Sequence, residues 1–178
     1  MKLTDYQAME LSIQEAQKGL GFVSPNPAVG CVLLDSDHNL LASGYHQKAG
    51  SSHAEIDALL KISNPNLLKN AKLYVTLEPC AHQGKTPSCA HHLKNLPIQE
   101  VWYGLKDPNP LVNGKGLEVL RESGKKVIPY SSFQNELLEL MEVFLINQVE
   151  KRPFVCLKVA QSLDGKISLE SGQSKWIT

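Results

Sequence analysis

The sequence predicts an α/β fold: a three-layer α/β/α sandwich with a mixed central sheet. Three observations predict it. From residue 73 onward, short apolar runs alternate with segments of helical periodicity and short connections, as parallel crossovers in one sheet require. Before them lie two apolar runs separated by Asp35-Ser36-Asp37-His38-Asn39, the pattern of an antiparallel hairpin. With 178 residues, 42% of them hydrophobic, the chain can build a sizeable core without disulfides or repeats.

The elements follow in order. Tyr6, Met9, Ile13 and Ala16 share one face of a helix over Tyr6 to Lys18, with Thr4 or Asp5 as cap and Gly19 as stop. Val29 to Leu34 and Leu40 to Tyr45 are the hairpin strands, and a helix over His53 to Ile62 follows Gly50-Ser51-Ser52. Then come a strand at Leu73 to Leu77, a short helix at Ala90 to Leu96 and a strand at Glu100 to Tyr103. Gly116 to Ser123 reads as a helix and Lys126 to Tyr130 as a strand. Phe133, Leu137, Met141 and Phe144 or Leu145 mark one amphipathic helix, and Phe154 to Ala160 one more strand.

Composition narrows the partners. Lysine plus arginine and aspartate plus glutamate both total 18, so the formal charge is zero. A polynucleotide binder usually carries a basic excess or stripe, so no nucleic-acid partner is expected. The first residues lack a signal-peptide pattern, and no run approaches the ~18 apolar residues of a membrane span, so a cytoplasmic protein without a membrane partner is expected. There, four cysteines should be free thiols or metal ligands. Cys31 and Cys156 sit in apolar runs and read as small buried hydrophobes. Cys80 and Cys89 lie in a polar, proline-flanked stretch. Homo-oligomerisation stays open.

The chemistry concentrates in two places. His53-Ala54-Glu55 opens the second helix. Positions i and i+2 lie about 200° apart inside a helix, but at the N-terminus the first residue can take non-helical torsions, so the two side chains can converge. Pro79-Cys80 is followed, after eight intervening residues, by Cys89 at the start of the third helix. One imidazole and two thiolates make three ligands for tetrahedral Zn²⁺ and leave the fourth position for water. Both helices turn their positive ends toward the site. Zinc brings its bound water to a pKa of ~7. Glu55, beside the metal but not on it, is placed to take that water's proton and pass it to a ring nitrogen and a departing amine. His-x-Glu followed by Pro-Cys-x-x-Cys is the pattern of zinc nucleobase deaminases. The first half matches, and the cysteine spacing is longer. Taken singly, each feature has a plainer reading: a cap histidine, a first-turn acid, or a structural zinc pair completed by His82 or His91. Jointly they favour a catalytic zinc site.

Tyr74-Val75-Thr76-Leu77-Glu78-Pro79-Cys80-Ala81-His82-Gln83-Gly84-Lys85-Thr86-Pro87-Ser88-Cys89 closely resembles the pyrimidine deaminase family of riboflavin biosynthesis. So do Asn26-Pro27-Ala28-Val29-Gly30-Cys31-Val32, Gly44-Tyr45-His46, His53-Ala54-Glu55 and Asp107-Pro108-Asn109-Pro110. The longer cysteine spacing, with its Gly-Lys-Thr-Pro insertion, separates this family from cytidine, deoxycytidylate and tRNA adenosine deaminases. The resemblance implies a cytidine-deaminase-like fold and hydrolytic deamination of 2,5-diamino-6-ribosylamino-4(3H)-pyrimidinone 5′-phosphate, with release of ammonia. It also implies Zn²⁺ as cofactor and substrate-binding roles for Asn26, His46, His82, Lys85, Asp107 and Asn109. Several of these make physical sense. Lys85 would bring a point charge to the phosphate or base. Asn26 is restricted between two prolines. Asp107 and Asn109 follow a strand, where open α/β sheets bind ligands. The chain departs from the family at Ser88, where a second proline is usual.

Glu150-Lys151-Arg152-Pro153 breaks the helical pattern and marks the expected boundary. Residues 1–150 would be the zinc-dependent deaminase domain and 151–178 the truncated start of a reductase domain. Pro153-Phe154-Val155, Ser162-Leu163-Asp164-Gly165-Lys166 and Ser174-Lys175-Trp176-Ile177-Thr178 resemble the opening of the dihydrofolate-reductase-like domain that follows this deaminase in bacterial enzymes and uses NADPH. The residues past Arg152 are too few for an independent domain, so no reductase activity is expected of them.

Overall fold

The computed structural model describes residues 1–82, 88–110 and 112–174. Its elements are α1 (Asp5–Gln17), β1 (Gly30–Leu34), β2 (Leu40–Tyr45), α2 (Ala54–Leu59), β3 (Ala71–Leu77), α3 (Cys89–Leu93), β4 (Ile98–Leu105), α4 (Lys115–Glu122), β5 (Lys126–Pro129), α5 (Gln134–Leu140) and α6 (Glu142–Leu145). A single π turn, Ile146–Glu150, follows α6. Thr4 starts α1 as half of a capping box, its side chain accepting from the Gln7 backbone while the Gln7 side chain accepts from the Thr4 amide.

Five strands form one sheet in the order β2-β1-β3-β4-β5. β1 is antiparallel to both β2 and β3, whereas β3, β4 and β5 run parallel, so the sheet is mixed as expected. Side chains alternate across it with the period of two that a pleated strand imposes. Cys31, Leu33, Leu73 and Val75 join a core with Ala54, Ala58, Ala90, Leu93 and Leu120 from α2, α3 and α4. Val32, Leu34 and Tyr74 join a second core on the opposite face with Met9 and Ile13 of α1 and Leu137 of α5. These are the three layers. β1 is buried throughout and β3 nearly so, because both lie inside the sheet with helices on each face.

The strand register positions the site. Gly30 pairs with Tyr45, Cys31 with Val75, and Leu77 with Leu105. The segment before β1 and the segments after β2, β3 and β4 therefore all emerge at one end of the sheet. α2 is held there by close backbone contact: a Cβ on Gly44 would meet the Ala58 nitrogen at 2.4 Å and the Ala54 oxygen at 2.7 Å.

Three expectations are corrected. The amphipathic segment beginning at Phe133 is not one helix. Met141 (φ −107°, ψ 10°) ends α5 and begins α6, turning the chain while Phe133, Leu137 and Met141 stay buried. Phe154 to Ala160 is not a strand. The run has no ladder partner among the described residues, and Leu157 is 84% exposed. Apolar β-formers become a strand only against an edge that hydrogen-bonds them. For the same reason Cys156 is exposed, whereas Cys31 is fully buried as expected.

Gly44→Ala should destabilise the fold by about 1–3 kcal/mol, the usual cost of overpacking. In a chain of this size that lowers the thermal midpoint by roughly 2–4 °C per kcal/mol. An unchanged midpoint in calorimetry would contradict the close approach of β2 to α2.

Candidate metal centre and substrate pocket

His53 caps the N-terminus of α2 with extended torsions (φ −70°, ψ 163°), which lets its ring and the Glu55 side chain turn to the same side. Cys80 follows the carboxyl end of β3, and Cys89 is the first residue of α3. Their ligand atoms converge: His53 Nδ1 lies 3.5 Å from Cys80 Sγ and 3.3 Å from Cys89 Sγ. All three lie within 4.8 Å of one another, and Glu55 is not of the group. With Zn–S of about 2.3 Å and Zn–N of about 2.0–2.1 Å, tetrahedral ligands sit roughly 3.5 Å apart, so the set fits zinc.

The three groups also set one another's protonation. The Cys89 backbone amide donates to Cys80 Sγ at 3.3 Å. Hydrogen bonding from Cys89 holds Cys80 well below the usual thiol range, opposed by burial and assisted by His53. The Cys89 thiol is correspondingly pushed up by its bond to Cys80 and by burial. The bond to Cys80 raises His53. Ser88, at the position where the resembling family has proline, ties the segments together. Its hydroxyl donates to the Cys80 carbonyl at 2.8 Å and accepts from the His91 amide at 3.3 Å, capping α3.

Glu55 is 3% exposed. Burial raises its pKa, with the charge of Cys80 adding to the effect, and it is hydrogen-bonded to Cys89. A carboxyl in this state can hold a proton closer to neutrality than a solvated one.

Around this centre opens a cavity of about 280 Å³, lined in part by Asn26, His46, His82, Asp107 and Asn109. The structure thus brings five of the six expected substrate-binding residues to one pocket. The sixth, Lys85, lies outside the described residues. Asn26 and His46 act as a unit. The Ser52 carbonyl, 3.0 Å from His46 Nδ1, can only accept, so Nδ1 carries the proton. The neutral ring then accepts at Nε2 from Asn26 Nδ2, 3.1 Å away. Burial keeps His46 below the usual imidazole range, in favour of this neutral form. Asp107 is buried and its pKa is raised chiefly by burial. Its Oδ1 accepts from the Asn109 amide at 2.8 Å, folding the loop after β4 into a turn. His82 is exposed at the pocket rim.

Sequence reasoning missed Glu78, Phe144 and Gln148, which also line the cavity. Glu78 stands within the motif block, but a carboxylate between strand and proline carries no signal of its role without its partners. Phe144 and Gln148 come from α6 and the π turn, where the reading had one continuous helix.

Residues 2–105 match the family model of the cytidine and deoxycytidylate deaminase zinc-binding region. The chain is 43% identical to the riboflavin biosynthesis protein RibD of Actinobacillus pleuropneumoniae over 176 residues, which are 99% of this chain and 46% of that protein. It is similar in structure to the diaminohydroxyphosphoribosylaminopyrimidine deaminase/5-amino-6-(5-phosphoribosylamino)uracil reductase of Thermotoga maritima, with a TM-score of 0.86, 43% identity and coverage of 96% of this chain and 48% of that one. It is likewise similar to Acinetobacter baumannii RibD, with a TM-score of 0.87, 43% identity and coverage of 96% and 47%. The chain therefore spans about half the length of the relatives it matches.

Purified protein should contain one zinc per chain by elemental analysis, and Cys89→Ser should lose most of it. An unchanged zinc content in the variant would remove Cys89 from the ligand set.

Proposed function

Because the chain belongs to the cytidine and deoxycytidylate deaminase zinc-binding family, we propose that its pocket hydrolytically deaminates 2,5-diamino-6-ribosylamino-4(3H)-pyrimidinone 5′-phosphate. The observation that carries this reading is a buried carboxyl, Glu55, set beside three converging ligand atoms at the floor of a cavity yet not among them. The names of the relatives and the eight residues between Cys80 and Cys89 support this choice of substrate.

His53, Cys80 and Cys89 would hold Zn²⁺, which when bound supplies Lewis acidity and lowers the pKa of water to ~7. The remaining steps belong to the chain. Water adds at the amino-bearing carbon and ammonia leaves. Glu55 carries one proton from the attacking water to the ring nitrogen, then carries the second, from the newly added hydroxyl, to the departing amine as the carbonyl forms. Its burial suits this cycle, because a carboxyl with a raised pKa takes and gives a proton at smaller cost near neutral pH. The Asn26 oxygen is an acceptor for the exocyclic or ring N–H groups of a pyrimidine. The Asp107–Asn109 turn supplies polar contacts on the other side of the pocket, with His82 at the rim. Lys85 is proposed as the cation that meets the phosphate, from its residue type and its place between the cysteines.

Residues 151–178 are proposed to open a second, reductase-like segment, to which NADPH would belong. The exposed apolar run over 154–159 and the doubled length of the relatives support this. The cytoplasm is the proposed compartment, since the thiolate pair needs reducing conditions. No helix among the described residues is long and apolar enough to cross a membrane.

Ammonia release should be measured on this pyrimidine, cytidine, deoxycytidylate and a tRNA anticodon stem, with Glu55→Gln alongside. The phosphorylated pyrimidine should be preferred. Glu55→Gln should keep its zinc and lose about 10²–10⁴-fold in turnover, the usual worth of general acid–base catalysis. Preference for another substrate would overturn the substrate assignment, and activity within a few-fold would overturn the role of Glu55.

A further inference from the structure

We infer that Glu78 is a positioning residue whose buried carboxylate sets the Asp107–Asn109 loop against the metal centre. The inference rests on the reading of this pocket as the substrate site.

Glu78 is 3% exposed. Its carboxylate accepts from the Gly114 amide at 2.8 and 2.9 Å, one distance to each oxygen. It also accepts from the Gly116 amide at 3.1 Å and the Asp107 amide at 3.2 Å. Three backbone donors from two segments thus meet one anion carried by a third. Gly114 has φ +91° and no side chain with which to cap α4, so Glu78 supplies that cap from the end of β3, with its charge at the positive end of the helix. Contact is close on the other side as well. A Cβ on Gly116 would lie 1.9 Å from the Pro79 carbonyl oxygen, so the start of α4 rests directly on the residue before Cys80.

Two consequences follow. Cys80 and the Asp107–Asn109 turn are referenced to the same post, so the spacing between the metal centre and that wall of the pocket depends on Glu78. The N-terminus of α4, an anion site in many α/β folds, is filled from within, so the substrate phosphate must be met elsewhere. Glutamine cannot replace glutamate here, because it offers one acceptor oxygen and turns an NH₂ toward backbone donors.

The test compares Glu78→Gln with the unmutated 178-residue protein for zinc content, circular dichroism and steady-state kinetics on the pyrimidine. The expected variant keeps one zinc per chain and an unmoved pH profile. Its KM rises roughly tenfold or more, on the scale of lost charge-assisted hydrogen bonds, while kcat stays within a few-fold. An unchanged KM with only a lowered thermal midpoint would overturn the inference, as would loss of zinc. Should the variant not fold, amide hydrogen exchange in the unmutated protein decides. Gly114, Gly116 and Asp107 should exchange slowly and shift when the pyrimidine is added, and free exchange of the two glycines would overturn the clamp. Failure of the unmutated protein to turn over the pyrimidine would instead remove the functional reading, leaving the glycine exchange to decide the clamp.

Discussion

The Cys80 sulfur sits where the carboxyl end of β3, the first turn of α3 and the N-cap of α2 meet, and the site depends on that convergence. Two sulfurs and an imidazole nitrogen lie within 4.8 Å of one another, and two thiolates that close would repel. The protein handles this with local donors, the Cys89 amide on Cys80 Sγ and the Ser88 hydroxyl on the Cys80 carbonyl, and with helix starts that present positive ends. A divalent cation would complete the same arrangement, which is why the donor set reads as a candidate metal centre.

The rest of the pocket is assembled by register. Antiparallel pairing of β1 with β2 and β3, and parallel pairing of β3 with β4, bring four chain segments to one end of the sheet. Three polar side chains on those segments are buried, and each is satisfied by a specific partner: His46 by Ser52 and Asn26, Glu78 by three backbone amides, Asp107 by the Asn109 amide. No buried side-chain nitrogen or oxygen lacks a partner among the described residues. Such a network is rigid because every member is expensive to leave unpaired, and rigidity is what a pocket that must orient a small heterocycle needs.

Much of this was legible in the sequence. The alternation of strands and helices, the hairpin, the two-faced core and the helix start at His53 follow from periodicity and capping, which are local properties. The grouping of His53, Glu55, Cys80 and Cys89 was visible because residue type and spacing together are restrictive. Glu78 was not legible, since its meaning lies in amides 29 to 38 residues away. The break at Met141 was not legible either, because burial of Phe133, Leu137 and Met141 satisfies the helical pattern whether or not the backbone turns between them. Phe154 to Ala160 shows the converse failure: β-propensity reports fit to a pleated neighbour, and none is present among the described residues.

The proposed chemistry needs an open metal position beside an unligated carboxyl. Zinc K-edge X-ray absorption on the purified protein tests it most directly. Two sulfur and one nitrogen scatterer plus one light, exchangeable oxygen is the expected result. A closed set of four protein ligands, with a second imidazole from His82 or His91 in place of the oxygen, would contradict it.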